Sequence, residues 1–105
     1  MSGAPAPTPQ QVAVLAETFR LLGDTTRLRI LLFCLPTPKS VGHIAESLGL
    51  SQTLVSHHLR LLRAARLVKG ERKARQVFYE IADNHVSDML TDMASHIAEE
   101  DVDDG

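Results

Sequence analysis

The chain has 105 residues, 44% of them hydrophobic but only 4% aromatic, with no tryptophan and a single cysteine. That length suits one domain whose interior Leu, Ile, Val and Ala must fill, and a domain so small gains stability from a subunit interface. An internal disulfide framework is excluded, which favours a reducing cytoplasm, and no apolar run approaches the ~18 residues of a membrane span. The formal net charge of −2 hides an asymmetry. Residues 51–76 carry seven Lys/Arg (Arg60, Arg63, Arg66, Lys69, Arg72, Lys73, Arg75) against Glu71 alone, whereas residues 80–105 carry nine acids and neither Lys nor Arg. The regional sum, rather than the total, points to nucleic acid.

Residues 1–9, with three prolines and neither a basic region nor an apolar core, read as a disordered leader rather than a signal peptide. Pro9 can open a helix reaching about Leu22, with Val12, Leu15, Phe19 and Leu22 at helical spacing. Gly23 ends it and Asp24 caps a second helix over residues 25–35, which Pro36-Thr37-Pro38 forbids from continuing. Cys34, inside the run Ile30-Leu31-Leu32-Phe33-Cys34-Leu35, reads as a buried structural thiol, with a redox or metal thiol as the alternative.

Ser40 can cap a short helix over residues 41–48, with Val41, Ile44, Ala45 and Leu48 on one face. Gly49-Leu50-Ser51 then turns into a longer helix whose apolar face is Leu54, Val55, Leu59, Leu62 and Ala65. Two helices joined by a short Gly-containing turn are the helix-turn-helix pattern. Beyond Leu67 the period changes to strand alternation: Val68 and Gly70 lead one strand and Gln76-Val77-Phe78-Tyr79-Glu80-Ile81 forms a second. Glu71-Arg72-Lys73-Ala74-Arg75 is the polar tip between them. Asp83 or Asn84 caps a last helix to about Glu100, and residues 101–105 form an acidic tail. The fold expected is mainly α with a β-hairpin wing, a homodimeric winged helix-turn-helix over residues 10–100.

The second helix of such a pair enters the major groove. With Leu54 and Val55 turned to the core, Gln52, Thr53, Ser56 and His57 point outward, and Gln, Ser and Thr can read base edges. Arg60 and Arg63 suit the phosphate backbone, and Arg72, Lys73 and Arg75 on the wing suit phosphates or a minor groove. His58 falls on the same helix as His57, and His43 reads as a surface or hydrogen-bonding residue.

Asp83, His85, His96 and Glu99 are good donors for a borderline divalent metal. Eleven residues of helix separate the two pairs by about 16 Å, so one chain cannot close them around one ion. Two antiparallel copies can, pairing Asp83 with Glu99 and His85 with His96 of the mate about a crossing near Leu90 and Thr91. The stripe Val86, Met89, Leu90, Met93 and Ile97 would form that interface. Such a dimer holds two symmetric four-ligand sites. Four protein ligands leave no open position for an activated water, which argues against a zinc hydrolase.

The chain resembles the ArsR/SmtB family of metalloregulatory repressors over residues 12–99. The resemblance is carried by Leu22-Gly23-Asp24-Thr25-Thr26-Arg27-Leu28-Arg29-Ile30-Leu31, by Leu50-Ser51-Gln52-Thr53-Leu54-Val55-Ser56-His57-His58-Leu59-Arg60-Leu61-Leu62, by Val77-Phe78-Tyr79 and by Asp83-Asn84-His85-Val86. Asp83-x-His85 and His96-x-x-Glu99 stand at the interval of the zinc and cobalt sensors of the SmtB/CzrA type. This implies release from an inverted-repeat operator by Zn2+, or by Co2+ or Ni2+, controlling efflux or sequestration genes. It also implies that the second ring nitrogen of His96 signals toward the end of the reading helix. Glu100 competes with Glu99 for the fourth ligand position. Ser40 and Gly42 stand where arsenic- and cadmium-type members carry a Cys-x-Cys pair, so soft-metal sensing there is not expected. The alternative is a repressor of the same fold with a redox or small-molecule inducer.

Overall fold

The computed structural model describes residues 5–104, with side chains as far as Glu99. The first four residues of the leader, Gly105 and the side chains of Glu100 and the acidic tail lie outside the described residues. The elements are α1 (Pro9–Leu22), α2 (Thr25–Cys34), β1 (Lys39–Ser40), α3 (Val41–Leu48), α4 (Gln52–Ala64), β2 (Val68–Lys73), β3 (Gln76–Ile81) and α5 (Asn84–Asp104).

Helix starts follow side-chain caps that satisfy otherwise orphaned amides. Asp24 accepts from the Arg27 N–H at 3.0 Å, Ser40 from His43 at 3.2 Å, Ser51 from Leu54 at 3.1 Å and Asp83 from Val86 at 3.1 Å. Asp83 rather than Asn84 is therefore the cap of α5. At α1, Thr8 and Gln11 form a reciprocal capping box ahead of Pro9. No Gly or Pro stands between Asn84 and Gly105, and α5 accordingly runs on to Asp104 rather than ending near Glu100.

The sheet departs from the expected two-stranded hairpin. It has three antiparallel strands in the order β1-β3-β2, with Lys39 opposite Tyr79 and Ser40 opposite Phe78. A two-residue strand beside prolines shows no alternation to read. Lys39 holds it in place: its Nζ donates to the Phe33 carbonyl at 2.9 Å and to Thr37 Oγ1 at 3.0 Å, and lies 4.7 Å over the Phe33 ring. The wing tip is also tighter than expected. β2 pairs with β3 out to Lys73 opposite Gln76, leaving only Ala74-Arg75 as the turn, with Ala74 at φ 57°.

The core gathers Ile30, Leu31 and Cys34 from α2, Ile44 and Ala45 from α3, Val55, Leu59 and Leu62 from α4, Leu67 and Val68 beyond it, and Leu90 from α5. Two helices contribute little. Residues 9–17 of α1 are exposed throughout, with Leu22 the buried residue of that helix, and residues 91–99 of α5 are also exposed throughout. The apolar stripe of α5 is thus divided, contrary to expectation. Leu90 is buried in its own domain with Val86 and Met89 packed alongside, while Met93 and Ile97 remain half exposed.

α4 ends in a Schellman motif, with the Leu67 N–H bonded to the Leu62 carbonyl at 2.9 Å and Arg66 N–H to Arg63 at 3.0 Å. The motif puts Arg66 at φ 62°, a left-handed conformation that costs a side-chain-bearing residue energy that glycine avoids. Arg66→Gly should therefore stabilise the fold by about 1 kcal/mol. A rise in thermal midpoint at fixed protein concentration is the check.

Candidate nucleic-acid interface and metal-ligand set

α4 is presented by the helices beneath it. Gly49, at φ 71°, supplies the left-handed residue that closes α3, and the Leu50 N–H returns to the Ala45 carbonyl at 2.9 Å. Arg29 of α2 reaches the end of α3 as well, donating to the Leu48 carbonyl at 3.1 Å. With the turn so held, Val55, His58, Leu59 and Leu62 face inward. Gln52, Thr53, His57, Arg60 and Arg63 are exposed and Ser56 is half-buried. The Gln52 amide lies toward Gly42 at the start of α3, where a Cβ would meet its Nε2 at 3.6 Å.

One inward assignment differs from the sequence reading and another goes beyond it. Leu54, expected in the core, is 39% exposed, and His58, placed on this helix without a face, is 8% exposed. The inward face follows 55, 58, 59 and 62, one step round the helix from 54. That spacing, taken strictly, would have turned His58 inward. Its Nδ1 lies 3.5 Å from Arg27 Nη1, a partner 31 residues away that no local pattern reveals.

On the wing, Arg72, Lys73 and Arg75 are all exposed, the first two on β2 and the third in the turn. Together with Arg60 and Arg63 of α4 they form an exposed set of positive groups on the helix and the wing.

The metal-type donors divide as their spacing implies. Asp83 and His85 stand together at the start of α5, with His85 Nδ1 3.7 Å from Asp83 Oδ1 and the His85 side chain 98% exposed. Asp83 Oδ1 is engaged as the helix cap. His96 and Glu99 are exposed on the far half of the helix. Among the described residues no three His, Cys, Asp or Glu of one chain converge on a point. Two imidazoles and two carboxylates nevertheless make a donor set that fits a borderline divalent ion.

Cys34 is 1% exposed, and burial pushes its thiol pKa up to about 11. Thiolate is the reactive form, so this cysteine is a poor redox or metal-binding group at neutral pH. Among the described residues no helix is long and apolar enough to cross a membrane.

A family model described as "Bacterial regulatory protein, arsR family" matches residues 24–69, from the cap of α2 into β2. The transcriptional repressor SmtB homolog of Synechocystis sp. is 40% identical over 91 residues, covering 87% of this chain and 69% of that protein. The HTH-type transcriptional regulator NmtR of Mycobacterium tuberculosis is 38% identical over 87 residues, covering 83% of this chain and 72% of that one. The solution structure of apo-NmtR has a TM-score of 0.76 at 35% identity, over 94% of this chain and 84% of its own. A homodimeric winged helix-turn-helix DNA-binding domain from Mycobacterium bovis matches 100% of this chain and 96% of its own at a TM-score of 0.83. At 24% identity this last likeness concerns the fold. An exposed reading helix, a basic wing and relatives that align over most of the chain lead to one conclusion: the chain belongs to the arsR family of bacterial regulatory proteins, DNA-binding transcriptional regulators rather than enzymes.

Proposed function

We propose that two copies of this chain form a twofold dimer that represses transcription from an inverted-repeat operator and releases it when a divalent transition metal, zinc foremost, is bound. The observation that carries this reading is the division of α5. Its first half is anchored in its own domain through Leu90, while its second half stands exposed with Met93 and Ile97, and half of the donor set lies at each end. The set closes only if Asp83 and His85 of one protomer meet His96 and Glu99 of the partner subunit. The exposed Val12, Leu15 and Phe19 of α1 offer further apolar surface for the same association. The M. bovis domain, homodimeric by its description, gives a precedent on this fold.

In the repressor, Gln52, Thr53, Ser56 and His57 read base edges, while Arg60, Arg72, Lys73 and Arg75 neutralise phosphates. Once bound, the ion supplies a tie between the two α5 helices. The chain's own part is to hold it: Asp83 is oriented by its cap, and the exposed His85 ring is accessible from solution. Coupling between the two ligands is reciprocal, so operator DNA must weaken metal binding by the factor by which metal weakens DNA binding. A regulator of DNA works where DNA is, in the cytoplasm.

The test is a titration of zinc, cobalt, nickel and cadmium into the protein–DNA complex, for the natural chain and for His96→Ala. Zinc should release the natural chain's DNA, and His96→Ala should need at least about 10-fold more zinc. Equal zinc potency in the two proteins would remove His96 from the sensor. Release by an oxidant but by none of the metals would return the inducer to redox chemistry.

A further inference from the structure

We infer that His58 is the positioning residue of the DNA-reading helix, holding α4 through a partly buried polar strut to Arg27 that is intact only while its imidazole is neutral. His58 is the buried polar or charged residue among the described residues, and it directly follows the outward-facing His57. Its Nδ1 meets Arg27 Nη1 at 3.5 Å. A guanidinium only donates, so the contact is a hydrogen bond when Nδ1 accepts and the ring proton sits on Nε2.

Arg27 is itself pinned. Its Nε donates to the Leu21 carbonyl in the last turn of α1 at 2.9 Å, and its backbone N–H donates to the Asp24 cap at 3.0 Å. One side chain thus joins the end of α1, the start of α2 and the middle of α4. The remaining inward residues of α4, Val55, Leu59 and Leu62, make apolar contacts, which resist separation but are non-directional. The strut adds the directional restraint that sets the helix's rotation, and so which residues meet base edges.

Protonation reverses the contact. Nδ1–H would face a guanidinium that has no acceptor, turning a hydrogen bond into a like-charge encounter. The groups acting on the ring are burial, which most strongly disfavours the cation, then Asp24, which favours it, and Arg27 and His57, which oppose it. Glu17 and Arg20 of α1 are paired with each other. The balance holds the His58 pKa below its ordinary value. The strut is therefore intact above about pH 6.5, and the cost of keeping it grows as pH falls from there through the folded-state pKa.

The experiment measures affinity for a short duplex selected in vitro against the full chain, in chelator, from about pH 7.5 to about pH 5.5. The variant His58→Gln carries an amide oxygen that can accept from Arg27 and a side chain that cannot charge, so it should keep most of the affinity at the upper end. Across the range the natural chain should lose affinity relative to His58→Gln, by up to about 10-fold for each reading helix that must keep its His58 neutral. Superimposable pH profiles overturn the proposal. A second measurement needs no variant: the His58 pKa followed by NMR in the natural chain, free and DNA-bound. Linkage requires DNA to lower it, and an unchanged or raised value overturns the proposal equally.

Discussion

Replacing Phe19 with alanine is expected to weaken dimerisation by about 30- to 700-fold, shifting the chain toward monomer at concentrations where the natural protein is dimeric. Phe19 is 55% exposed on a helix whose residues 9–17 are exposed throughout, an uncommon position for a large ring. Covering its remaining surface is worth about 1–2 kcal/mol, and twofold symmetry counts each substitution twice, for about 2–4 kcal/mol per dimer. Ile97→Ala on the exposed half of α5 should act in the same direction. Sedimentation equilibrium reads the effect directly. DNA binding should fall with it, since a monomer offers one reading helix where an inverted repeat calls for two. An unchanged association constant in both variants would mean that these faces are not the interface, and the shared metal site would fall with it.

Which features the sequence discloses depends on how far apart the partners stand. Each cap at Asp24, Ser40, Ser51 and Asp83 lies three residues from the amide it accepts, so a short window contains the whole interaction. The same holds for the Gly49 turn and for the strand alternation at residues 76–81. The outward set Gln52, Thr53, His57 and Arg60 is likewise legible, because helical period alone separates it from Val55, Leu59 and Leu62. What escapes a local reading is held at long range. β1 exists through pairing with β3 about 40 residues on, and His58 turns inward toward Arg27, 31 residues earlier. The α5 stripe is periodic from Val86 to Ile97, yet period cannot say where the domain beneath the helix stops. Leu90 lies over the core and Met93 beyond it. The donor set is a case apart: its spacing separates two halves, and the closing proposed for them calls for a second chain.

The sharpest test of the fold lies in two leucines of the same helix. Leu62 is 0% exposed, whereas Leu54 is 39% exposed, although hydrophobicity alone places both on the apolar face of α4. Leu62→Ala removes buried atoms and leaves a cavity that the close-packed core it shares with Leu59 and Ile30 cannot fully collapse, at about 2–5 kcal/mol. Leu54→Ala loses part of a contact already shared with water and should cost no more than about 1 kcal/mol. Against a total stability of about 5–15 kcal/mol, the first loss is severe for so small a core. Denaturant midpoints at one protein concentration give the comparison, because dimerisation makes apparent stability depend on concentration. Equal losses at the two positions would mean that α4 sits a step round from the rotation described. His58 would then leave Arg27, and the base-reading set would shift from Gln52, Thr53 and His57 to their neighbours.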